Sequence, residues 1–301
     1  MSTRGPPVDE PGVVVVNYNA GQAILDCLAH LRKQTTNIVV VDNASTDGST
    51  EGIEREHPDV PIVRNATNVG FAAAANQGIR QTSTPYVLLL NPDADIRPHF
   101  VETMRRALDD HPRAGAVGAL VLNPDGSVQP TKRAFPSLWH AALHGIVGLV
   151  WPGNPGTRAY TLADASFTQP RTVDWVAGPA VALRREAFDQ IGGFDEAFFF
   201  FVEDVDLCRR MWNAGWEVWF EPRAVAVHAW GTSWTQRPLR FLWIHQRSLM
   251  RYAMKHRRGS WVLAYPFIGL ALVLRFVLLA IRWLFTRRSV PKHRRIGEAR
   301  Q

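Results

Sequence analysis

The stretch that decides the fold is Tyr86-Val87-Leu88-Leu89-Leu90-Asn91-Pro92-Asp93-Ala94-Asp95. Its apolar half is an unbroken run, which predicts a buried strand of a parallel sheet with helices on both faces. Asp93 and Asp95 follow at the carboxyl end, where open α/β sheets bind their ligands. Such carboxylates suit Mg²⁺ or Mn²⁺, which keeps its other positions for water and substrate phosphates. The alternative is a polar turn that caps a helix beginning near Arg97.

Strand, loop and helix patterns alternate on the N-terminal side of this stretch. Apolar runs at 12–16, 38–41 and 60–63 each precede a polar loop and a helical pattern. This alternation predicts a doubly wound, mostly parallel α/β sheet. The loops end in Asn, Asp or Gly where each helix begins, so we expect a nucleotide at this edge. The sequence lacks the Rossmann and P-loop glycine motifs, which argues against NAD chemistry and P-loop NTPases.

The pattern continues less regularly on the C-terminal side. The helices expected here are at 98–110 and 184–190, and the strands expected are at 116–122, 172–177, 216–220 and 224–228. Between them, residues 135–170 are irregular and rich in Trp, His, Gly and Pro. A stretch of this kind inside a domain is either a functional lid or a surface spacer.

A second acidic group follows the aromatic run 198–202. Glu203, Asp204 and Asp206 lie at the start of a predicted helix, where the helix dipole stabilises acids. The dipole does not explain why the preceding segment, 198–202, is so apolar. A carboxylate next to aromatic side chains can have the shifted pKa that a general base needs. His228 ends the last predicted strand, and it is either a satisfied core residue or a metal ligand.

Composition limits the classes of protein. The chain has 301 residues, of which 46% are hydrophobic and 20% charged, as in ordinary globular proteins. Its net charge of +7 favours acidic partners, and much of the excess lies in residues 287–300. Two cysteines, Cys27 and Cys208, exclude a disulfide framework. Residues 1–11 lack the apolar core of a secretory signal, so we expect the protein to face the cytoplasm.

The C-terminal region has a different character from the rest. We divide the chain into a catalytic domain, 1–235, and a helical, membrane-associating region with a basic tail, 236–301. Residues 261–285 are nearly all apolar but contain Arg275 and Arg282, which share a helical face. A central arginine is costly inside a bilayer. We therefore favour a helix lying in the interface on anionic lipids over a spanning helix or a buried soluble one.

Five motifs, in order, resemble those of GT-A, family 2 glycosyltransferases, particularly the bacterial rhamnosyltransferase-like branch. They are Asn17-Tyr18-Asn19, Val41-Asp42-Asn43-Ala44-Ser45-Thr46-Asp47, Asn68-Val69-Gly70-Phe71, Asn91-Pro92-Asp93, and Gly193-Phe194-Asp195-Glu196 with Glu203-Asp204-Val205-Asp206. The resemblance covers residues 12 to 230. It implies a GT-A fold and an inverting transfer of a sugar, with L-rhamnose from dTDP-rhamnose as the first expectation. The Q-x-x-R-W motif of processive relatives is absent from the sequence, so we expect addition of one or a few sugars.

The resemblance also implies roles for individual residues. Those implied to bind the nucleotide-sugar donor are Asn17, Tyr18, Asn19, Asp42, Asn43, Asn68, Gly70 and Asn91. Asp93 would hold the metal with Asp95 and His228, although Asn91 replaces the first Asp of the family's D-x-D motif. Asp204 falls at the catalytic base. Trp175, Gly178 and Glu203 are expected to contact the acceptor, and Asp206 to cap its helix.

These expectations define the partners and leave alternatives open. We expect Mg²⁺ or Mn²⁺, a lipid-linked or polysaccharide acceptor, and the cytoplasmic face of the cell membrane, with no nucleic-acid partner and no prediction of oligomeric state. A UDP-dependent galactofuranosyl, glucosyl or N-acetylhexosaminyl transferase is the alternative within the class. A sugar nucleotidyltransferase or an inactive binding module are alternatives outside it. A sugar nucleotidyltransferase needs a basic, Gly-rich loop near the N-terminus, and residues 14–21 do not contain one.

Overall fold

A computed structural model of the chain describes residues 10–137, 144–145, 147–229, 238–256 and 259–288. The chain divides into two compact units, Met1–Arg237 and Pro238–Gln301. The strands of the first unit are β1 (Gly12–Asn17), β2 (Ile38–Asp42), β3 (Ile62–Arg64), β4 (Tyr86–Leu90), β5 (Ala94–Ile96), β6 (Ala114–Leu122), β7 (Lys132–Arg133), β8 (Arg171–Thr172), β9 (Trp175–Val176), β10 (Ala180–Arg184) and β11 (Glu217–His228). Its helices are α1 (Gln22–Leu31), α2 (Ser49–Glu56), α3 (Phe71–Arg80), α4 (Phe100–Asp110), α5 (Pro155–Thr161), α6 (Arg185–Gln190) and α7 (Glu203–Asn213).

One mixed sheet forms the centre of this unit. Its strand order is β3-β2-β1-β4-β10-β6-β11-β5, and β8 pairs with β11. The strands β1 to β4 are mutually parallel, and β6 runs parallel to β11. The valines of β1 and the leucines of β4 are buried, as expected for strands covered on both faces. The carboxyl ends of β1, β2 and β4 therefore meet at one edge.

Helices cover both faces of the sheet. On one face, α1 and α4 form the main hydrophobic core with alternate residues of the central strands. On the other face, α3 lies very close to β1, because a Cβ at Gly78 would fall 2.4 Å from the Val14 side chain. A glycine is required at that crossing, since any side chain there would push the helix away from the sheet.

The largest departure from the sequence prediction is β10. The sequence predicted a strand at 172–177 and then a helix, whereas residues 180–184 form a further strand that inserts antiparallel between β4 and β6. The predicted strand at 172–177 is two short pieces, because β8 pairs with β11 while β9 pairs with β7. The strands predicted at 216–220 and 224–228 are one strand, β11, with an irregularity between Glu221 and Val225.

Smaller corrections concern element ends. The strand predicted at 60–63 occupies Ile62–Arg64, and the helix predicted from residue 98 begins at Phe100. Asp95 lies in β5 and not in a helix-capping turn, because residues 94–96 pair with the end of β11.

The second unit contains two long helices, α8 (Pro238–His256) and α9 (Tyr265–Arg288), joined through a 3-10 segment at Gly259–Ala264. The two helices pack against each other, with the rings of Trp243 and Phe276 edge to face at 5.7 Å. Arg275 does not project alone from α9. Its guanidinium donates to Gln246 Oε1 on α8 at 3.1 Å and lies 3.3 Å from His245 Nδ1.

One segment of the described residues is long and apolar enough to cross a membrane. It runs from Val262 to Leu284 with a mean hydropathy of 2.3, and none of it is buried within the structure. Length and composition alone do not separate a spanning helix from one lying on a membrane.

Candidate active site

The carboxyl ends of β1 and β2 form a polar cluster around Asn17. The Asn17 amide nitrogen lies 3.1 Å from Asp42 Oδ1, 3.1 Å from Ser45 Oγ and 2.9 Å from Ser49 Oγ. Asn17 is fully buried, whereas Tyr18 and Asn19 at the same strand end are partly exposed. Asn17 thus holds Asp42 and its loop in place from inside the protein.

Asn19 connects the first two loops from the solvent side. Its backbone has a left-handed conformation with φ of 52°, which asparagine tolerates better than most residues. Its backbone N–H donates to Ser45 Oγ at 3.0 Å, and its side-chain oxygen accepts from the Thr46 N–H at 2.7 Å. The loop after β1 and the loop after β2 therefore act as one surface.

Asn43 connects the second loop to the third. Its amide nitrogen donates to Asn68 Oδ1 at 3.0 Å, and its oxygen accepts from the backbone of Val69 at 3.0 Å and from the side chain of Asn65 at 3.2 Å. Asn68 in turn accepts from the Gly70 N–H at 2.9 Å. Six of the residues expected to bind the donor thus form a continuous, hydrogen-bonded rim: Asn17, Asn19, Asp42, Asn43, Asn68 and Gly70.

Gly70 joins this rim to the aromatic segment that precedes the acidic helix. Its φ is +90°, and a Cβ there would fall 2.5 Å from the Phe199 carbonyl oxygen. The next residue, Phe71, donates its backbone N–H to the same oxygen at 2.8 Å, and its ring meets those of Phe194 and Phe200 edge to face. Only glycine permits this approach of two backbones, so the rim and the acidic helix are fixed relative to each other.

Asp93 and His228 meet where β4 and β11 end. His228 Nε2 lies 3.2 Å from Asp93 Oδ1 and 3.2 Å from the Asn91 amide nitrogen. Asp93 Oδ2 is buried without a hydrogen-bond partner among the described residues, and such orphaned oxygens are costly unless something binds them. A carboxylate oxygen and an imidazole nitrogen facing one point fit a divalent cation of the Mg²⁺ or Mn²⁺ type.

The protein supplies few ligands at this point. Within the part of the chain that the structure describes, no group of three or more His, Cys, Asp or Glu side chains is placed to hold a metal ion. An ion at Asp93 and His228 would complete its coordination with water and with the phosphates of a substrate, which is the usual pattern for Mg²⁺ in nucleotide sites.

Asp95 is separated from this pair. Its carboxylate lies 2.8 Å from His30 Nδ1 and 3.8 Å from Arg97 Nη1, and its side chain is 42% exposed. The pairing of β5 with β11 places Asp95 beside α1, which carries His30. We therefore correct the sequence-based grouping and leave Asp95 out of the candidate metal site.

Glu203 and Asp204 begin α7 directly after two residues with a strained backbone conformation. Phe201 and Val202 have φ values of 65° and 69°, a left-handed conformation that costs bulky residues about 1 to 3 kcal/mol each. This turn delivers Glu203 to a buried position, where its side chain is only 6% exposed. Asp204 is partly exposed, and its two oxygens accept from the backbone N–H groups of Gly178 at 3.3 Å and Val205 at 2.8 Å.

Burial raises the pKa of both carboxyl groups. The pKa of Glu203 lies well above its ordinary value, first because of burial and then because of the neighbouring Asp204 charge. Burial also raises the pKa of Asp204, while the Val205 N–H and the Arg133 guanidinium act in the opposite direction. Burial thus favours the neutral form of both groups. Asp204 is the carboxylate with solvent access.

Asp206 does not cap α7 as expected. Its carboxylate is fully buried and accepts from Arg210 Nε at 2.8 Å, one turn along the same helix. Arg210 also donates to the Ile191 carbonyl at 2.8 Å. Asp206 therefore ties the helix to the preceding loop, which is a structural role.

The expected acceptor residues take different positions. Gly178 meets the Asp204 carboxylate directly through its backbone. Trp175 is buried, and its indole N–H donates to the Ala134 carbonyl at 2.9 Å. The Trp175 ring also lies against the guanidinium of Arg133. The central carbon of that guanidinium is 5.3 Å from the centre of the Trp175 ring and 5.5 Å from the centre of the Tyr160 ring. Arg133 could not be recognised from the sequence, since neither periodicity nor a motif marks it.

The residues from β1 to α7 match known proteins along most of their length. The profile of the family "Glycosyl transferase family 2" matches residues 12–192, and that of "N-terminal domain of galactosyltransferase" matches residues 160–227. The N-acetylglucosaminyl-diphospho-decaprenol L-rhamnosyltransferase of Mycobacterium tuberculosis is 34% identical over 263 residues, which cover 83% of this chain and 85% of the relative. The chain belongs to glycosyltransferase family 2.

Other relatives agree with this assignment. The rhamnosyltransferase WbbL of Escherichia coli is 26% identical to this family 2 glycosyltransferase, over 62% of this chain and 67% of the relative. The mannosyltransferase PcManGT of Pyrobaculum calidifontis, solved with GDP-Man and Mn²⁺, has a TM-score of 0.56 at 19% identity and covers 93% of this chain and 79% of that one. The expected GT-A fold and rhamnosyltransferase-like membership are confirmed.

Family membership decides between the classes of function. The family 2 glycosyltransferase is an enzyme that uses a nucleotide-sugar donor. This result sets aside the sugar nucleotidyltransferase and the inactive binding module.

Proposed function

We propose that this family 2 glycosyltransferase transfers L-rhamnose from dTDP-rhamnose to a hydroxyl of a lipid-diphosphate-linked glycan, with inversion at the anomeric carbon. The observation that carries the proposal is the match to the mycobacterial L-rhamnosyltransferase over 83% of this chain and 85% of that one. A UDP-dependent galactofuranosyl, glucosyl or N-acetylhexosaminyl transfer is the alternative donor chemistry.

Asp204 is the proposed general base. An inverting transfer needs one carboxylate that takes the proton from the acceptor hydroxyl as this oxygen attacks the anomeric carbon. Asp204 has solvent access, and backbone N–H groups hold it in one orientation. Glu203 is buried beside it, and burial favours its neutral form, which would donate a hydrogen bond to the acceptor. No covalent nucleophile is required, unlike in a retaining pair of carboxylates.

The donor is proposed to lie on the rim formed by the first three loops. Tyr18, Asn19 and Asp42 would face the base and ribose, while Asn43, Asn68 and Gly70 continue the pocket. Because Asn17 is fully buried, we assign it the support of Asp42 and not a direct contact. Asn91, at the end of the neighbouring strand β4, lies beside Asp93 and His228.

Asp93 and His228 are the proposed holders of Mg²⁺ or Mn²⁺. The bound ion would neutralise negative charge that develops on the leaving diphosphate. The chain's own contribution is to present the carboxylate of the partly buried Asp93 and the imidazole of the buried His228 at 3.2 Å from each other. The arrangement requires the donor itself to complete the coordination, which couples donor binding to metal binding.

The first test is a donor screen with the purified full-length chain. Transfer from dTDP-rhamnose to an N-acetylglucosaminyl-diphospho-lipid is expected to be at least about tenfold faster than transfer from any UDP- or GDP-sugar. Product mass and released nucleotide are both measured. Transfer from a UDP-hexose alone would contradict the donor assignment and leave the enzyme class intact.

We further propose that the second unit binds the cytoplasmic face of an anionic membrane and brings the catalytic unit to lipid-linked acceptors. A stripe of exposed apolar side chains follows α9, at the spacing of one helical face. Its members include Phe267, Leu270, Leu274, Ile281 and Leu284. A charged Arg275 opposes membrane insertion, but its hydrogen bond to Gln246 satisfies part of that side chain within the unit. Both the interfacial and the spanning placement are compatible with this pairing.

Membrane binding is tested by replacing two exposed side chains with acids. Phe267 and Leu270 are 74% and 69% exposed, and burying each in lipid is worth about 1.5 to 3 kcal/mol. Phe267→Glu with Leu270→Glu is therefore expected to weaken co-sedimentation with phosphatidylglycerol vesicles at least about tenfold. Val150→Glu, at a site 87% exposed in the other unit, controls for added negative charge. Equal vesicle binding by the double variant and the wild type would contradict the proposal.

A further inference from the structure

The side chain of Gln129 lies beneath His228 and contacts it twice. Its amide nitrogen donates to the His228 backbone carbonyl at 2.7 Å, and its amide oxygen lies 3.2 Å from His228 Nδ1. The same nitrogen donates to Asn123 Oδ1 at 2.9 Å, and the Gln129 side chain is buried. Gln129 therefore holds the ring and the backbone of one residue together.

The orientation of the Gln129 amide is fixed by chemistry. A backbone carbonyl only accepts hydrogen bonds, so the group facing the His228 carbonyl must be the NH₂ of Gln129. The amide oxygen consequently faces Nδ1 of the ring. Because an amide oxygen also only accepts, Nδ1 must carry a hydrogen in this arrangement.

This assignment determines what the other ring nitrogen offers. In a neutral imidazole with hydrogen on Nδ1, Nε2 carries a lone pair and no hydrogen. Nε2 is the atom that lies 3.2 Å from Asp93 Oδ1 and 3.2 Å from the Asn91 amide nitrogen. The Asn91 amide can donate to this lone pair, and when a cation binds, Nε2 and the facing carboxylate can both bind it.

The chain reaches this position through a tight turn. Asn123 donates its backbone N–H to the Ser127 carbonyl at 2.7 Å, and Gly126, with φ of +83°, donates back to Asn123 at 2.9 Å. A bridge between Leu122 and Val128 closes the hairpin. The Asn-Pro-Asp-Gly turn thereby returns Gln129 to the end of β6, directly beside the end of β11.

We propose that Gln129 is a positioning residue for the metal site. It holds His228 as the Nδ1–H tautomer and aims Nε2 at the ion shared with Asp93. The inference rests on the proposed metal site of Asp93 and His228. Partners of this kind, which orient a ligating histidine through its other nitrogen, typically change metal affinity by about 10-fold to 100-fold when removed.

The test compares isosteric variants of the full-length chain. Gln129→Met keeps the side-chain volume and removes both contacts to His228, whereas Thr131→Val removes another buried hydrogen bond of the same segment, that to the Ala119 carbonyl. Binding of Mn²⁺ in the presence of dTDP is measured by the electron paramagnetic resonance signal of free Mn²⁺. The dissociation constant is expected to rise about 10-fold to 100-fold in Gln129→Met and to stay within about twofold of the wild type in Thr131→Val.

A second readout needs no metal or activity. The ¹⁵N shifts of the His228 ring, assigned by comparison with His228→Ala, report which nitrogen carries hydrogen. Wild-type protein is expected to show the Nδ1–H tautomer, and Gln129→Met is expected to show Nε2–H or a mixture.

Three results would overturn the inference. An Nε2–H tautomer in the wild-type protein contradicts it directly. Unchanged Mn²⁺ affinity in Gln129→Met, alongside weaker binding in His228→Ala, means that the metal site is right and the role of Gln129 wrong. Unchanged affinity in His228→Ala means that the proposed metal site itself is wrong, and the inference falls with it.

Discussion

Asp204→Asn is expected to slow the chemical step by about 10² to 10⁴-fold, the usual contribution of a general base. The replacement keeps the shape of the side chain and one oxygen that accepts from the Gly178 or Val205 N–H, but it removes the group that accepts the proton. Donor binding is expected to persist, because the donor rim is formed by other loops. Single-turnover rates and the dissociation constant for the donor, measured on the same protein, separate the two effects.

Two neighbouring carboxyl groups provide the controls for this variant. Glu203→Gln keeps a hydrogen-bond donor at a position where we place a protonated acid, so it is expected to affect mainly acceptor binding. Asp206→Asn weakens the buried pair with Arg210, so it is expected to lower stability with little effect on the chemical step of the folded enzyme. Near-normal turnover in Asp204→Asn together with a large loss in Glu203→Gln would move the base to Glu203.

Asp93→Ala is expected to abolish most metal-dependent turnover. Metal stabilisation of a leaving diphosphate is worth several kcal/mol, so the loss is expected to be about 10² to 10³-fold. The fold is expected to survive, because the carboxylate has a buried oxygen without a partner among the described residues and contributes little to packing. The measurement is initial rate as a function of Mn²⁺ concentration, with circular dichroism to confirm folding.

Asp95→Ala is the matched control, since it removes the same group two residues away. Its carboxylate lies against His30 and Arg97 at the surface, and exposed pairs of this kind contribute little. The Asp95 variant is therefore expected to keep a wild-type metal titration. Equal losses in both variants, or an unchanged rate in Asp93→Ala, would contradict the assignment of the ion to Asp93 and His228.

The convergence of the donor rim was predictable from the sequence. Parallel strands bring their carboxyl ends to one edge, so Asn17, Asp42 and Asn91 had to lie near one another once three strands were recognised. The order of polar motifs after those strands then indicated the family. The helical character of residues 238–256 was also visible, because periodicity reports a local conformation.

The pairing of β10 could not be predicted in the same way. Its five residues are too few for periodicity to separate a strand from the start of a helix, and α6 begins immediately after it. The antiparallel insertion between β4 and β6 depends on contacts between segments far apart in the chain. The local pattern of apolar and polar residues does not report which distant segments pair.

Side-chain partners explain the remaining errors in the site. From the motifs, the carboxylate of Asp95 was expected to bind the metal and that of Asp206 to cap its helix. In the structure, the Asp95 carboxylate instead contacts His30, and the Asp206 carboxylate pairs with Arg210. The contact of Gln129 with His228 could not be predicted from the sequence, because it depends on the turn that places Gln129 below His228. Spacing predicts where an acid lies along the chain, and only packing decides what it contacts.

The most direct test of the account is the pH dependence of kcat/KM for the wild type, Asp204→Asn and Glu203→Gln. A base must be ionised to act, and burial raises the pKa of Asp204 above its ordinary value of 3.8, so wild-type kcat/KM is expected to rise with pH through that higher pKa and then level off. Glu203→Gln is expected to keep this acidic limb, and Asp204→Asn to lose it. An acidic limb that persists in Asp204→Asn and disappears in Glu203→Gln would contradict the central claim that Asp204 is the catalytic base.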